Sequence, residues 1–227
     1  MVEIIPAINA KTWEEVKEKI RRAEHHAKWI HLDVADGTFT KNTLWHNPLD
    51  LVGFETVAKL EIHLMEDHPE DRFEAWLLPR VGRIIIHEET VHDFDFIRDS
   101  CKKENTEVGI AIATDTSWTR LKPYIGKTDF LQVLAVHPGL AGQEFQAHNY
   151  SKIRHLRALC PDCRIEVDGG VKIGVSRLAA ESGANILAAA SSVFGAENME
   201  QTIRVLQNDA KAGEHGSLTR RPRTNSK

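Results

Sequence analysis

Short apolar runs alternate with longer amphipathic segments along the whole chain. Eight of these runs have the length and apolar content of buried β-strands: Val2–Ile8, Trp29–Val34, Val57–Met65, Arg83–His87, Val108–Ile112, Phe130–Val136, Arg164–Val167 and Ile186–Ala190. The repeat averages about 28 residues, a spacing that is typical of βαβ units and a parallel sheet.

Helices are predicted between the strands from apolar residues three and four positions apart. The first has Thr12 as its N-cap and Glu15 as the capping-box partner, and its buried face contains Val16, Ile20 and Ala23. The others are predicted at Pro69–Leu77, Phe94–Lys103, Trp118–Tyr124, Tyr150–Leu159, Ile173–Ser182 and Met199–Ala210.

Eight such units within 227 residues predict an α/β fold, a single (β/α)₈ TIM barrel. The alternative, an open doubly wound sheet, usually begins with a glycine-rich first turn, and none follows Ile8. The barrel domain is expected over residues 1–211. Residues 212–227, rich in small polar and basic residues, are expected to form a disordered tail.

Composition narrows the possible functions. Twenty-nine Lys and Arg residues against 33 Asp and Glu residues leave a formal charge of −4, which excludes a generally basic nucleic-acid binder. The tail's four basic residues are interpreted as a solvated segment: Arg220, Arg221, Arg223 and Lys227. No apolar run approaches the roughly 20 residues of a membrane span. We therefore expect neither a nucleic-acid partner nor a membrane.

The chain has three cysteines, Cys101, Cys160 and Cys163. So few, and an odd number, argue against a disulfide framework and indicate a reducing compartment. The N-terminus lacks the basic region and the cleavage site of a signal peptide. A cytoplasmic location is therefore expected, and the C-x-x-C of Cys160 and Cys163 is interpreted as two ordinary thiols.

Polar residues occupy the carboxyl ends of three predicted strands, where barrels carry their active sites. In strand two, His31 and Asp33 are two residues apart and share one face. In strand three, Glu61, His63 and Met65 share a face. A buried His–Asp hydrogen-bonded pair is the plain alternative for His31 and Asp33, but a second interior histidine on the next strand favours a functional site.

Strand seven ends in Asp168, followed by Gly169 and Gly170. Together His31, Asp33, His63 and Asp168 offer two imidazoles and two carboxylates, which suit one divalent ion such as Zn²⁺, Fe²⁺, Co²⁺ or Mn²⁺. Each aspartate is also able to exchange a proton with a carbon beside a carbonyl group, and a metal would balance the developing negative charge. His87, Glu88 and Glu89, at the end of strand four, are expected to border this site.

A phosphate site is predicted beside these residues, because glycine and small residues follow strands six, seven and eight and expose backbone N–H groups. The residues concerned are Gly139, Leu140, Ala141, Gly142, Gly169, Gly170, Ala190 and Ser191. Barrels often bind phosphate in this quadrant.

Five stretches resemble the ribulose-phosphate 3-epimerase family, over nearly the whole chain from Glu3 to Gln207. They are Ile5-Pro6-Ala7-Ile8, His31 to Phe39 (HLDVADGTF), Glu61-Ile62-His63-Leu64-Met65, Pro138 to Phe145 (PGLAGQEF) and Ile165 to Val171 (IEVDGGV). The resemblance implies a ribulose-phosphate-binding type of barrel and a divalent metal (Zn, Fe, Co or Mn) held by His31, Asp33, His63 and Asp168.

The resemblance also implies a reaction. Asp33 and Asp168 would be the acid/base pair that inverts C3 of a ketose phosphate, D-ribulose 5-phosphate to D-xylulose 5-phosphate, through a metal-stabilised enediolate. The substrate would contact Ala7, His63 and Met65, with its phosphate on the glycine-rich turns. A cytoplasmic homo-oligomer, a dimer or larger, is implied as well.

The chain departs from the family pattern in its pocket. Ala7 replaces the usual serine, and Ala35 and Leu134 replace usual methionines. A larger pocket beside Ala35 would admit a longer sugar phosphate, so a 3-epimerase of another ketose phosphate, such as allulose 6-phosphate, is one alternative. A catalytically silent phosphosugar-binding barrel is another.

Overall fold

All eight predicted strands form and close into one parallel barrel in sequence order. The computed structural model describes residues 2–139 and 142–219. The strands are β1 (Glu3–Ile8), β2 (Trp29–Val34), β3 (Lys59–Leu64), β4 (Val81–His87), β5 (Glu107–Ile112), β6 (Phe130–Leu134), β7 (Arg164–Asp168) and β8 (Ile186–Ala189). β1 pairs with β8 and closes the ring. The predicted (β/α)₈ barrel is therefore confirmed.

Six α-helices cover the described part of the barrel: α1 (Trp13–Ala23), α2 (Phe94–Lys103), α3 (Asn149–Leu159), α4 (Val175–Ser182), α5 (Ser191–Phe194) and α6 (Met199–Thr219). The Thr12 side chain caps α1 by accepting the Glu15 amide. Glu15 accepts from the amide of Lys11, one residue before the position that a capping box requires. The amphipathic pattern of this helix thus folds as expected.

Three of the predicted helices differ from the structure. The Pro69–Leu77 segment forms two short 3₁₀ helices, Pro69–Asp71 and Phe73–Trp76, because His68 before it has a left-handed backbone (φ 51°) and the chain breaks again at Arg72. Trp118–Tyr124 is also a 3₁₀ helix, with Pro123 inside it. Finally, α4 begins at Val175, after Gly174 (φ 84°), rather than at Ile173.

The chain's end and its C-x-x-C also differ from expectation. α6 continues to Thr219, so no helix end marks the expected domain boundary after residue 211. The remainder of the predicted tail, 220–227, lies outside the described residues. Cys160 and Cys163 form a disulfide, with their Cα atoms 5.4 Å apart in the turn after α3. The interpretation of two thiols is therefore wrong; Cys101 is a buried free cysteine.

Strand parity divides the barrel into two environments. Ile30, Leu32 and Val34 of β2 point outward into the main apolar core beneath the helices. The inward positions combine buried polar residues such as Glu61 and Gln132 with two small apolar clusters, around Ile5 and around Ile85. No helix in the described part of the chain combines the length and hydropathy needed to cross a membrane.

Candidate active site

The ends of three strands bring the four predicted ligands together at the carboxyl end of the barrel, here called the mouth. His31, Asp33, His63 and Asp168 each offer one atom, and these four atoms lie within 4.8 Å of one another. Nε2 of His31 is 3.3 Å and Nδ1 of His63 is 3.1 Å from Oδ1 of Asp33. Asp168, on the far side of the mouth, lies 3.6 Å from the same His63 nitrogen.

Burial makes it costly to hold unbalanced charge in this cluster. Both imidazoles are fully buried, and the carboxylates are only 10% and 9% exposed. Burial alone would raise the pKa of Asp33, but the adjacent imidazoles of His31 and His63 bring this pKa well below its usual range. Burial would lower the pKa of each imidazole; contacts with the carboxylates instead raise the pKa values of His31 and His63. The cluster therefore requires a positive charge among its acceptors.

A divalent metal ion fits these residues. Within the described residues, the two aspartates have no Lys or Arg in ion-pair contact, and their only ion-pair partners are the two imidazoles. Two imidazole nitrogens and two carboxylate oxygens that converge in one buried space are a common donor set for Zn²⁺ or Fe²⁺. The donor types leave the choice of metal open.

A column of charged groups supports His31 from below. Its Nδ1 is 2.8 Å from Oε1 of Glu61, and the other oxygen of Glu61 accepts a hydrogen bond from Arg83 at 3.0 Å. Arg83 also donates to Glu107 at the opposite rim of the barrel, at 2.9 Å. Because a carboxylate only accepts, Glu61 keeps the proton on Nδ1 and leaves Nε2 directed at the mouth.

A second buried carboxyl group adjoins this column. Glu166 lies 3.4 Å from Nδ1 of His31, and Gln132 donates to it at 3.1 Å. Burial and the nearby charge of Glu61 raise the pKa of Glu166 to about 7. Sequence reasoning missed Glu166: it lies two residues before Asp168 on β7, but its contact with His31 depends on the closure of the barrel and is not visible in any motif.

His63 is supported by its own partners. Its Nε2 lies 2.9 Å from Nε2 of His87, and Nδ1 of His87 lies 3.2 Å from Oε2 of Glu89. The ring of Phe39 covers His87 at a centroid distance of 4.7 Å. His87 and Glu89 thus border the site, as the sequence predicted, whereas Glu88, predicted with them, pairs with Arg120.

The pocket beside the cluster contains most of the predicted substrate-contacting residues. Its lining includes Met65, Gly139, Gly142, Gly169, Gly170, Ala190 and Ser191 together with Asp33 and Asp168. Ala7 and His63 are buried and do not line it. Leu140 and Ala141 lie outside the described residues. His137, at the end of β6, lines the pocket as well.

Two asparagines that sequence reasoning missed join the mouth to the loop after β6. Asn9 donates to Oδ2 of Asp33 at 3.0 Å and to the carbonyl oxygen of Gly139 at 3.2 Å. Asn42 donates to the same carbonyl at 2.9 Å. Gly139 has a positive φ of 111°, and a Cβ there would lie 1.9 Å from Oδ1 of Asn42. The loop is thereby held close to Asp33.

The suspected enlargement beside Ala35 is not present. Ala35 is fully buried against Leu44 and Met65, with Phe39 packed on the same cluster, and it does not line the pocket. Neighbouring side chains fill the space that a longer residue would occupy. Leu134, the other departure, does line the pocket.

A surface group of similar composition has the wrong geometry for an ion. His68, Glu70 and His92 also lie close together. The two imidazoles are stacked 4.2 Å apart with planes only 6° from parallel. Since a ligating lone pair lies in the plane of its ring, two stacked parallel rings do not converge on one ion without turning.

The family model for the ribulose-phosphate 3 epimerase family matches residues 3–194, nearly the whole barrel. The chain belongs to this family. The resemblance and the enzyme class predicted from the sequence, a carbohydrate-phosphate epimerase, are confirmed at the level of the family.

Curated relatives have similar lengths and cover most of the chain. The ribulose-phosphate 3-epimerase of Chlamydia muridarum is 34% identical over 203 residues, 86% of this chain and 87% of the relative. A ribulose-phosphate 3-epimerase described as a cytoplasmic isoform, from Oryza sativa subsp. japonica, is 30% identical over 84% of this chain and 86% of its own.

Solved structures that resemble this barrel agree in fold. A 3-hexulose-6-phosphate synthase from Salmonella typhimurium aligns with a TM-score of 0.65 at 14% identity, over 93% of this chain and 100% of its own. A phosphoribosyl anthranilate isomerase from Thermococcus kodakaraensis aligns with a TM-score of 0.63 at 14% identity, over 94% and 100%. At these identities the likeness concerns the barrel alone.

Proposed function

We propose that this epimerase inverts C3 of D-ribulose 5-phosphate to give D-xylulose 5-phosphate, with Asp33 and Asp168 as the proton-transferring pair. The observation that carries the proposal is the position of the two aspartates. They project into one pocket from β2 and β7, and both also contact His63. Inversion at carbon requires a base on one face and an acid on the other, and two carboxylates on separate strands are suited to that task.

The protonation state of Asp33 follows from its surroundings. The lowered pKa of Asp33 keeps this carboxylate ionised at neutral pH, as a base must be. Asn9 donates to Oδ2 of Asp33 and orients the carboxylate. A divalent metal held by His31, Asp33, His63 and Asp168 would supply positive charge for the oxygens next to the reacting carbon.

Phosphate binding is proposed for the turns after β6, β7 and β8. Gly169 and Gly170 both have positive φ, 99° and 67°, and a Cβ on Gly170 would lie 2.2 Å from the amide nitrogen of Phe145. These glycines therefore allow the loops to pack together while their backbone N–H groups stay near the pocket. Ser191, at the start of α5, lines the same pocket.

Two broader properties of the proposal come from the relatives. We propose a cytoplasmic location, which the relative described as a cytoplasmic isoform supports. A homo-oligomer, predicted from the family resemblance, stays part of the proposal. Neither changes the chemistry of the mouth, to which each described ligand is contributed by a single chain.

The test is NMR of the purified protein with D-ribulose 5-phosphate in D₂O. Metal-free protein, protein reloaded with Zn²⁺, Mn²⁺, Fe²⁺ or Co²⁺, and a buffer control are compared. The proposal expects deuterium at C3 and accumulation of xylulose 5-phosphate, both restored by metal. Exchange only with D-allulose 6-phosphate would replace the substrate. Binding of sugar phosphate without exchange by the metal-loaded protein would indicate a silent binder and overturn the proposal.

A further inference from the structure

A relay of three side chains runs from the cluster of candidate ligands to the end of β5. His63, His87 and Glu89 follow one another through contacts of 2.9 Å and 3.2 Å, and the two imidazoles are fully buried. We propose that His87 and Glu89 are positioning residues that hold His63 in the one tautomer able to bind a cation through Nδ1. The inference rests on the proposed metal-dependent function.

The relay starts from an anchored carboxylate. Oε1 of Glu89 accepts a hydrogen bond from the backbone amide of Ala113 at 2.8 Å, just beyond β5. An amide N–H has no other role than to donate, so this oxygen is fixed as an acceptor. Burial alone would raise the pKa of Glu89, but hydrogen bonds from His87, Thr116 and the Ala113 amide and the proximity of His87 lower it to about 2. Glu89 is therefore an ionised, acceptor-only group.

The proton on His87 follows from this acceptor. Oε2 of Glu89 lies 3.2 Å from Nδ1 of His87, so the contact is favourable only if Nδ1 carries the proton. In a neutral imidazole, the other nitrogen is then an acceptor. Nε2 of His87 thus presents a lone pair to its neighbour, His63.

The same reasoning sets His63. Its Nε2 faces Nε2 of His87 at 2.9 Å, and a hydrogen bond between two nitrogens contains a single proton. Because His87 accepts, His63 must donate from Nε2. Its Nδ1 is left with a lone pair, which lies 3.1 Å from Asp33 and 3.6 Å from Asp168 within the ligand cluster. A cation is then held by this nitrogen and the two carboxylates, as metal-ligating histidines with a carboxylate partner generally achieve.

The isosteric substitution Glu89→Gln reverses every step without changing shape. The Ala113 amide claims the oxygen of the new side chain, which turns its NH₂ group toward His87. Nδ1 of His87 must then accept, Nε2 must donate, and His63 is driven to carry its proton on Nδ1, where the cation binds. The matched control is Glu88→Gln, which removes the same charge at the adjacent position. Glu88 pairs instead with the exposed side chain of Arg120 at 2.7 Å.

The experiment measures zinc affinity by competition with a chelator and the imidazole protons by ¹⁵N NMR of zinc-loaded protein. Wild type and the Glu88→Gln control are expected to show His87 protonated at Nδ1 and His63 at Nε2. Glu89→Gln is expected to bind zinc about ten- to a hundredfold more weakly. The conservative Glu89→Asp keeps an acceptor and is expected to recover most of that affinity. His87→Phe identifies the His87 signals and, should Glu89→Gln fail to fold, tests the same loss of affinity.

The outcomes separate the two proposals. Wild-type protein that binds none of Zn²⁺, Mn²⁺, Fe²⁺ and Co²⁺ overturns the metal-dependent function itself. Wild-type protein that binds zinc with His87 protonated at Nε2 overturns the relay alone. So does a Glu89→Gln variant with wild-type affinity and an unchanged proton on His87.

Discussion

Oε1 of Glu61 lies 2.8 Å from Nδ1 of His31 at the centre of the barrel, so a proposed metal ligand is oriented by a buried hydrogen bond to a carboxylate. The other oxygen of Glu61 receives Arg83, whose side chain is 5% exposed and lies 3.9 Å from the ring centroid of Trp29. Stability and the orientation of His31 therefore depend on the same charged groups.

Replacing Arg83 is expected to destabilise the fold strongly. Arg83→Met leaves Glu61 charged and buried without its cation, and breaking such a pair costs about 3–5 kcal/mol. Urea unfolding measures the change in the free energy of unfolding. The control is Arg80→Met, whose exposed pair with Glu55 is worth about 0–1 kcal/mol. Equal losses in the two variants would show that Glu61 tolerates the missing partner.

Removing one acid/base group is expected to stop turnover. Asp168→Asn preserves shape but takes away a proton-transferring group, and we expect kcat to fall by at least about 10²–10⁴-fold. Deuterium exchange at C3 and epimer formation are followed together, at saturating metal. Asp162→Asn, an exposed residue in the disulfide turn at the other end of the barrel, is the control. Wild-type rates in the Asp168 variant would contradict the two-aspartate scheme.

The loop after β6 is expected to tolerate no side chain at residue 139. Gly139→Ala forces the new methyl group against Asn42 and displaces the loop from Asp33, and we expect kcat/KM to fall at least about tenfold. Gly126→Ala has a similar left-handed strain (φ 80°) with nothing within 4 Å of the new Cβ. It controls for backbone strain, so a comparable loss of kcat/KM there would remove the loop contact as the cause.

The stability of the protein is expected to fall as the pH rises from about 4.5 to 7 because of Glu66. Burial, with a smaller repulsion from Asp36, raises the pKa of Glu66 to about 7 from an ordinary value of 4.5. The folded state thus binds this proton more tightly than the unfolded state. The stabilisation is complete below pH 4.5 and is lost as the pH rises through 7, by about 3 kcal/mol at most.

Glu66→Gln tests this linkage, since an amide does not titrate. The variant is expected to gain stability relative to wild type between pH 5 and pH 8, as measured by urea unfolding at both values. Glu74→Gln, an exposed position nearby, provides the comparison. A difference between Glu66→Gln and wild type that stays constant with pH would mean that Glu66 titrates normally.

The barrel and the convergence of its four candidate ligands were predictable because strand parity is a local property. In β2, alternate residues face the helices or the interior, so His31 and Asp33 had to share a face once the strand was recognised. Parallel pairing then aligned Asp33 with His63 on β3. Asp168 reached the same mouth because the carboxyl ends of all parallel strands lie at one end of a barrel.

Contacts between distant segments were not predictable in the same way. Asn9 meets Gly139 across 130 positions, and nothing near either residue marks the pair. The prediction of a larger pocket beside Ala35 was wrong for a related reason. The residues that fill this space, Leu44 and Phe39, belong to an irregular loop whose path no periodicity describes. The single helix predicted over Pro69–Leu77 does not form. Apolar spacing alone does not reveal the left-handed residue at its start.

The charged column beneath His31 connects this residue to the rim of the barrel that lies far from the proposed substrate site. Arg83 forms ion pairs with both Glu61 and Glu107, and Glu107 also pairs with Arg164 at 2.9 Å. The side chains of Glu107 and Arg164 are each more than one-third exposed. A change of charge at this distal rim is therefore expected to alter the electrostatic environment of His31 while the residues that line the pocket stay the same. Laboratory evolution that selects for a new working pH would have mutations available there, whereas selection for a new sugar would have to act on the loops.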